Sequence, residues 1–453
     1  MKNRNTFLLF FLFGLLWLGY SCKKDFGPKA HPIAANIKVV FEGSLSNIIP
    51  VDAKVTLVSE RDGRRIILNT NQQGDAYFES LVPGKFSIEA SLAMTGAKFT
   101  ELTGITTDLD SIHFNGRLTE PDDLKLTKEL ENRTITIMQG TPGPWVIKQV
   151  YYGGSDRWDG ANFRDQFIEF YNNTDTLMYA DSLYFAQIFG ENSATPDLTK
   201  DWYLQSGQLD WRISTGMSNA NTDFVYAYHL YMIPGTGKQY PVQPGQSIVI
   251  AQNALNHKAP YIDNNGNVQT VNNPDLTIDL SGADFEAYLY EYRKKNDPTA
   301  TPYRWDIDNP QVPNIEVLLS THNDMILDNL GRDAYVVFTA SRHYVDDLMQ
   351  NHSFKSPKTT QTANKNRFIQ IPVDIVMDGV ELAQTVPADR APKRLPVFMD
   401  AGFNYLPKGY YASQSVIRKT AKTVNGRKVL KDTNNSSEDF VVVDRAIPKG
   451  FYN

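Results

Sequence analysis

The histidines and the cysteine are the residues best suited to bind zinc, and their spacing supplies no ligand set. No two histidines stand four residues apart, and no HExxH motif occurs. The seven histidines are His31, His113, His229, His257, His322, His343 and His352. The single cysteine is Cys22. Because zinc sites take three or four such ligands at characteristic spacings, the sequence predicts neither a metal nor a cofactor.

Two acidic stretches invite a calcium interpretation. The run 263–267 begins like an EF-hand loop, but Val268 stands where the loop needs glycine and Pro274 where it needs glutamate. This run therefore favours a hairpin tip. The second stretch is the acidic loop that contains Asp156, Asp159 and Asp165. Its spacing matches no known loop, and calcium binding there stays open.

The motifs of common enzymes are missing from the sequence. Gly245-Gln246-Ser247 continues as Ile-Val, so it is not a nucleophile elbow, and no glycine-rich phosphate loop occurs. Glu169 lies in a strand-like run near Asp165, which makes it the most plausible catalytic carboxylate. The sequence predicts no catalytic residue, and a hydrolase with its site in the long insertions is the less favoured alternative.

An aromatic strip offers candidate binding residues. The residues with this potential are Trp202, Tyr203, Trp211, Tyr226 and Tyr228. Tyrosine and tryptophan anchor interfaces because they bury a large area at low entropic cost, and they also stack on sugar rings. The alternative is a sandwich face that an insertion half covers. Both interpretations stay open from the sequence.

The N-terminal residues are typical of an export signal. Lys2 and Arg4 precede the apolar run Phe7–Leu18, which is too short to span a membrane as a helix. Cys22 then resembles the lipobox cysteine of bacterial lipoproteins. Residues 23–26 resemble the surface-export signal of Bacteroidetes lipoproteins. These resemblances predict that residues 1–21 are removed, that Cys22 is lipidated, and that residues 22–35 tether the protein to the cell surface.

The overall composition narrows the function classes. The net charge is −6 and no basic run occurs, so the chain has no electrostatic footprint for nucleic acid. Aromatic residues make up 12% of the chain, which suits sheets better than helices. We therefore expect an all-β protein that does not bind nucleic acid.

Residues 36–140 alternate in short strand-like runs separated by turn residues. The runs are Ile37–Phe41, Ala53–Val58, Arg65–Leu68, Ala76–Ser80 and Lys85–Ala90. With the Asp62-Gly63 turn and Pro83-Gly84, this stretch resembles the transthyretin-like or carboxypeptidase-regulatory Ig-like module. The resemblance implies a sandwich that serves as a spacer or interaction domain. The turn cluster at 140–144 predicts its boundary.

Residues 145–453 contain three separated motifs. They are the run 167–173, the Pro244-Gly245 turn before Ser247–Ala251, and the closing segment 415–442 with its hairpin at Asn425-Gly426. In these motifs the segment resembles the lamin-tail domain, an Ig-like sandwich, and the resemblance implies that Glu169 and Asn172 are structural. The extra length predicts that 190–240, 252–335 and 341–400 are long insertions or a second sheet-rich lobe, with short helices at 284–295 and 341–351.

The whole chain resembles a family of Bacteroidetes surface lipoproteins of unassigned function. This resemblance implies tandem Ig-like β-sandwiches in a non-enzymatic outer-membrane protein. Its partner would be a TonB-dependent transporter or another surface lipoprotein. The alternative function is a carbohydrate-binding or adhesin module that uses the aromatic strip.

Overall fold

The computed structural model describes residues 31–107, 109–118, 122–360 and 362–452. Strands dominate this part of the chain and the helices are short, which confirms the predicted all-β, sandwich-like fold.

The first eight strands form one sheet with its own core. They are β1 (Ile33–Phe41), β2 (Lys54–Ser59), β3 (Arg65–Asn69), β4 (Asp75–Leu81), β5 (Gly84–Thr95), β6 (Ser111–Arg117), β7 (Lys125–Leu126) and β8 (Leu130–Gln139). The order is β3-β2-β5-β6-β8-β1-β4, and β7 pairs with the start of β5. Only two residue pairs join β6 to β8, so the sheet folds into two layers around one core.

Strand β1 shows why these residues form a half-buried sheet. Every second side chain, from Ile33 to Phe41, is buried, and the residues between them are at least partly exposed. This two-residue period places apolar side chains on one face. The strand begins at Ile33, inside the segment that the sequence assigns to the tether, and it pairs in parallel with β8 and antiparallel with β4.

The rest of the chain contributes two large sheets, two small hairpins (β16–β17 and β25–β26) and one further two-stranded sheet (β11 with β14). Its strands are β9 (Trp145–Tyr151), β10 (Phe167–Asn172), β11 (Met178–Tyr179), β12 (Leu183–Ile188), β13 (Phe224–Met232), β14 (Pro241–Val242), β15 (Ser247–Ala251), β16 (Tyr261–Ile262), β17 (Val268–Gln269), β18 (Phe285–Glu286), β19 (Glu316–Leu319), β20 (Ala334–Thr339), β21 (Ser353–Phe354), β22 (Phe368–Pro372), β23 (Val376–Glu381), β24 (Ser415–Arg418), β25 (Thr420–Val424), β26 (Arg427–Leu430) and β27 (Phe440–Val443).

The two larger sheets pack face to face as a sandwich. One has the order β18-β15-β10-β9-β24-β27, and the other has the order β21-β22-β13-β12-β20-β23, with β19 beside β13. Their shared core includes Ile147 and Phe170 from the first sheet and Phe185, Tyr231 and Val337 from the second. Further apolar clusters cover the outer faces of both sheets. Strands β9, β10 and β12 are therefore buried at every residue.

The helices lie in the connections. They are α1 (Gly96–Thr103), α2 (Arg212–Thr215), α3 (Tyr290–Asn296), α4 (Arg342–Asn351) and α5 (Ser436–Asp439). Five 3₁₀ turns span Gly43–Leu45, Pro274–Leu276, Pro357–Thr359, Val373–Ile375 and Pro387–Asp389.

Of the two helices predicted from the sequence, one is confirmed and the other is wrong in part. The helix predicted at 341–351 is confirmed as α4, whose Ser341 hydroxyl accepts a bond from the Tyr344 amide and caps the first turn. The helix predicted at 284–295 is wrong in its first half. There Phe285 and Glu286 form β18, which pairs in parallel with β15, and the helix begins only at Tyr290.

Candidate ligand-binding cavity

A cavity of about 930 Å³ lies between the outer face of the eight-stranded sheet and the C-terminal sandwich. We call it the intersheet cavity. The eight-stranded sheet contributes Val58, Arg65, Lys85, Ser87, Glu89 and Arg117. The sandwich side contributes Pro196, Gly207, Arg390, Lys393, Phe403 and Tyr405, among others. This volume lies at the upper end of the roughly 300–1,000 Å³ typical of small-molecule sites.

Polar contacts beside the cavity join its two walls. The buried Asn115 amide donates to the Thr433 carbonyl, and Arg117 Nη1 donates to the Ala401 carbonyl at 2.7 Å. Lys54 Nζ lies 2.8 Å from a Glu438 carboxylate oxygen. Groups from two strands, β2 and β6, thus fasten the first sheet to the loops of the sandwich.

Glu89 forms part of the floor. The alternation of β5 directs Phe86 and Ile88 into the core of the first sheet and leaves Ser87 and Glu89 on the face toward the cavity. Glu89 pairs across the strands with Arg117, but that guanidinium is turned to the Ala401 carbonyl. Glu89 is only 8% exposed, and its carboxylate has no hydrogen bond or ion pair within the described part of the chain. Burial raises the pKa of its carboxyl group, against the effect of nearby cations.

Lys393 faces Glu89 from the other wall. Its ammonium donates to the Ala401 carbonyl at 3.2 Å and lies 5.1 Å from the centroid of the Phe403 ring. Burial lowers its pKa to about 7, and the positive charge of Arg117 adds to this effect.

Apolar groups and rings form the remaining walls. The Arg390 guanidinium lies 4.9 Å from the ring centroid of Phe403 and 4.6 Å from that of Tyr405. Tyr405 is 38% exposed. The walls are completed by small and ring-shaped residues, namely Ala194, Pro196, Pro387, Ala388, Ala391 and Pro392. The cavity thus combines a polar floor with largely apolar walls, the usual make-up of small-molecule sites.

The five predicted aromatic residues come together in one cluster beside this cavity. Trp211 and Tyr226 are buried and stack on each other, with ring centroids 3.6 Å apart and planes 7° apart. The Tyr228 hydroxyl donates to the Asp333 carboxylate at 2.8 Å. Trp202 and Tyr203 are half-buried, and Tyr203 donates to Glu191. Trp211 and Tyr226 therefore pack inside the protein, and ligand binding by the strip stays a prediction.

The acidic stretches make local hydrogen bonds. Asp263 caps the β16–β17 hairpin by accepting from the amides of Asn265 and Asn267, which confirms the predicted hairpin tip. In the acidic loop, Asp156 accepts from two amides of its own turn, whereas Asp165 is buried and accepts from the Thr277 hydroxyl. Among the described residues, no three His, Cys, Asp or Glu side chains are grouped as a metal site.

Glu169 and Asn172 lie in the first sheet of the sandwich. Glu169 is buried and forms a 2.8 Å ion pair with Lys148, while its other carboxylate oxygen accepts from the Lys449 amide at 3.3 Å. Asn172 donates to the carbonyls of Thr176 and Val242. Both residues tie neighbouring backbone segments together, as the lamin-tail resemblance implies.

Arg418 is the centre of a second buried polar cluster. Its guanidinium donates to the Ile147 carbonyl at 2.9 Å and lies 2.5 Å from Asp378, 3.2 Å from Asp432 and 3.5 Å from Asp439. Arg418, Asp378, Asp432 and Asp439 are each at most 3% exposed in their side chains. Burial, together with three carboxylates around one guanidinium, raises the pKa of Asp378 and of Asp439.

A serine–histidine contact is the nearest approach to a nucleophile and base. His229 Nδ1 lies 3.0 Å from the Ser320 hydroxyl. Burial lowers the pKa of His229 well below its ordinary value, and the nearby His322 adds to this. The other ring nitrogen, Nε2, is buried and has no hydrogen-bond partner in the described part of the chain. The pair thus lacks the orienting acid of a catalytic triad and is a poor proton acceptor.

Cys22 lies outside the described residues, so its lipidation stays a prediction. Across the residues that the structure describes, no helix has the length and apolar character needed to cross a membrane.

Sequence reasoning missed Glu89, Arg117 and Lys393. Glu89 and Arg117 belong to the first sheet, whereas Lys393 belongs to a segment that the sequence assigns to an insertion. One signal was available, because the alternation of residues 86–90 places Glu89 opposite the core-facing side chains. Nothing in the sequence indicates which segment covers that face.

The described architecture defines an all-β protein of sandwich type. Comparison with known families adds that residues 243–446 match the model of DUF4876, a protein of unknown function. A crystal structure of a DUF4876 family protein from Bacteroides thetaiotaomicron is similar, with 21% identity and a TM-score of 0.51. The similarity covers 90% of this chain and 95% of that chain. It shows a shared fold and fits the predicted Bacteroidetes family of unassigned function.

Two further solved structures are DUF3823 family proteins from Parabacteroides merdae and Bacteroides ovatus. They cover 45% and 48% of this chain, and 92% and 98% of their own, at 11% and 14% identity. The TM-score is 0.14 for each of them, too low to indicate a shared fold. No curated protein sequence matches the chain.

Proposed function

We propose that this chain is a non-enzymatic binding protein of the outer-membrane surface, with its ligand site in the intersheet cavity. It is anchored through Cys22 and delivers its ligand to, or holds it beside, a membrane transporter or another surface lipoprotein. The signal-like N-terminus and the lipobox-like position of Cys22 support the location. The long insertions, together with the first sheet, supply the walls of the site.

The observation that carries the proposal is the buried Glu89 carboxylate, which lines a cavity of about 930 Å³ without an internal partner. A carboxylate that lines a cavity, with acceptor oxygens that no protein group uses, can accept hydrogen bonds from a ligand in that cavity. The clusters at Arg418 and Glu169 differ in this respect, because their members bond to one another.

Binding in the cavity is tested by filling it. Ser87→Trp places an indole on the cavity face of β5, whereas Glu79→Trp places one on an exposed position of β4. Wild type and both variants are screened for thermal shifts against sugars, short peptides, amino acids and nucleosides. We expect a ligand class that stabilises wild type and Glu79→Trp but not Ser87→Trp. Equal shifts for all three proteins would exclude the cavity as the site.

The anchor is tested separately. Cys22→Ala is expected to move the protein out of the membrane fraction and to abolish its labelling with fatty acid. Retention of a labelled, membrane-bound protein after this substitution would contradict the proposed location and leave the cavity proposal untouched.

The carbohydrate or adhesin function of the aromatic strip has one supporting observation. Trp202 and Tyr203 are half-buried in the 194–208 connection, whose two ends line the intersheet cavity. Trp202→Ala distinguishes this site from the cavity floor, because it removes a half-buried ring of the strip and leaves Glu89 in place.

A further inference from the structure

We infer that the intersheet cavity binds a neutral, hydroxyl-rich ligand, an oligosaccharide, through Glu89 and the cations that surround it. This inference rests on the proposed function, since it names the ligand class of the same site.

The cavity floor is complementary to a ligand group that both donates and accepts hydrogen bonds. Glu89 offers only acceptor oxygens, and none of them is used by the described residues. Arg117 lies directly across from it on β6, and Lys393 faces it from the opposite wall. Both of these side chains are donors. A hydroxyl group donates to the carboxylate and accepts from either cation, so neighbouring hydroxyls on one ring satisfy the whole floor.

A charged ligand fits less well. A cation that approached Glu89 would also meet Arg117, Lys393 and Arg65, the three cations that act on the Glu89 carboxyl. An anion that approached Arg117 and Lys393 would meet Glu89 itself, with the buried Asp400 behind it. Positive and negative side chains alternate on the cavity floor, so a ligand of either charge would meet repulsion there. A neutral ligand therefore has the smallest electrostatic and desolvation cost of binding.

The walls fit the apolar faces of sugar rings. Tyr405 exposes 38% of its surface, and its ring, like that of Phe403, is held by the Arg390 guanidinium. The alanines and prolines of the opposite side present C–H groups. The volume of about 930 Å³ admits more than one ring.

The test uses the complete mature chain on an array of neutral and acidic oligosaccharides, next to a peptide array. Titration calorimetry then measures the strongest glycan with wild type, Glu89→Gln, Glu89→Ala and the matched control Glu79→Ala, an exposed glutamate of β4. We expect neutral glycans to bind wild type. Glu89→Ala should weaken that binding about 10- to 100-fold, the loss typical of a hydrogen bond to a charged group, while Glu79→Ala leaves it unchanged.

Glu89→Gln separates charge from geometry. It keeps one acceptor oxygen and the shape of the side chain, so we expect a loss smaller than that of Glu89→Ala. Circular dichroism and the denaturation midpoint check that each variant folds, and Glu89→Gln serves where Glu89→Ala does not fold.

The remaining outcomes are distinct. Peptides that bind in a Glu89-dependent manner, with no glycan bound, would overturn the ligand class and keep the proposed cavity function. Glycan binding that is equal in wild type, Glu89→Ala and Glu89→Gln would overturn the role of the floor. A folded wild-type chain that binds no glycan on the array would overturn the inference, whereas the Ser87→Trp screen decides the proposed function independently.

Discussion

Replacing Arg418 by alanine tests whether the buried cluster around it holds the sandwich together. The substitution removes the guanidinium and leaves three carboxylates, those of Asp378, Asp432 and Asp439, without their central cation. It also frees the Ile147 carbonyl, which accepts from Arg418 Nε at 2.9 Å. Asp378 lies in β23 and Arg418 in β24, and these strands belong to opposite sheets, so the substitution removes an ion pair that joins the two layers of the sandwich.

The expected cost is large. Removing one partner of a buried ion pair typically destabilises a protein by about 3–5 kcal/mol, because the remaining charge stays desolvated. Arg342 provides a matched control. It also contacts two carboxylates, those of Glu316 at 2.6 Å and Asp346 at 2.7 Å, but its side chain is 43% exposed. Arg342→Ala should therefore cost no more than about 1 kcal/mol.

The cost should also depend on pH. Without Arg418, the folded-state pKa values of Asp378 and Asp439 rise further above those of the unfolded chain. A carboxyl group whose folded pKa is raised contributes stability at low pH, and that stability is lost as the pH rises through the window between the two pKa values. Arg418→Ala should thus be more damaging at pH 8 than at pH 5.

Urea denaturation of the wild type, Arg418→Ala and Arg342→Ala at pH 5 and pH 8, followed by fluorescence and circular dichroism, measures both effects. A cost for Arg418→Ala at pH 8 no greater than that for Arg342→Ala would refute the reasoning. So would a cost that grows as the pH falls.

Three other substitutions test separate features. Asp306 is buried, and burial raises its pKa to about 8. Its stabilising effect is therefore lost as the pH rises from about 4 to 8, and Asp306→Asn should become more stable than wild type near pH 8.5, by on the order of a few kcal/mol in urea titrations. Gly426 has a φ of +81° at the β25–β26 turn, with open space around it, so backbone strain in Gly426→Ala should lower the free energy of unfolding by about 1 kcal/mol. Gly282 also lies in open space but has no positive φ, and Gly282→Ala should be nearly neutral in the same denaturation assay. Trp211→Ala should lower the free energy of unfolding by about 3–5 kcal/mol because the ring is buried, and an unchanged denaturation midpoint would contradict its placement in the core.

Strands of the first sheet could be predicted because their apolar residues recur at every second position. Residues 37–41 alternate between buried and more exposed positions, and Phe86, Ile88 and Ala90 all enter the core of the sheet, so a two-residue period appears directly in the sequence. The Asn425-Gly426 hairpin could also be predicted from the sequence. Both residues adopt a positive φ, which asparagine and glycine tolerate best. In these cases, local chemistry and the final fold agree.

The misassigned helix and the missed cavity have a common cause. Phe285 lies in a sheet because β18 pairs in parallel with β15. The periodicity of residues 284–295 cannot indicate this pairing, because β15 lies elsewhere in the chain. In the same way, Glu89 becomes a floor residue only because the distant Lys393 and Tyr405 cover it. Both features arise from contacts between segments far apart in the chain, whose register a single sequence does not encode locally.

The parallel pairing of β1 with β8 has a mechanical consequence for an anchored protein. Residues 34–41 of β1 pair with 130–137 of β8, so Ile33 and Gln139 lie at opposite ends of the same ladder. Under the proposed attachment at Cys22, drag on a ligand bound to the sandwich would pull on these two ends. The load would run along the strands, and the hydrogen bonds of the ladder would have to break together instead of one after another. Strand β1 would then act as a shear clamp, which lets the outer parts of the molecule bear force while the first sheet stays folded.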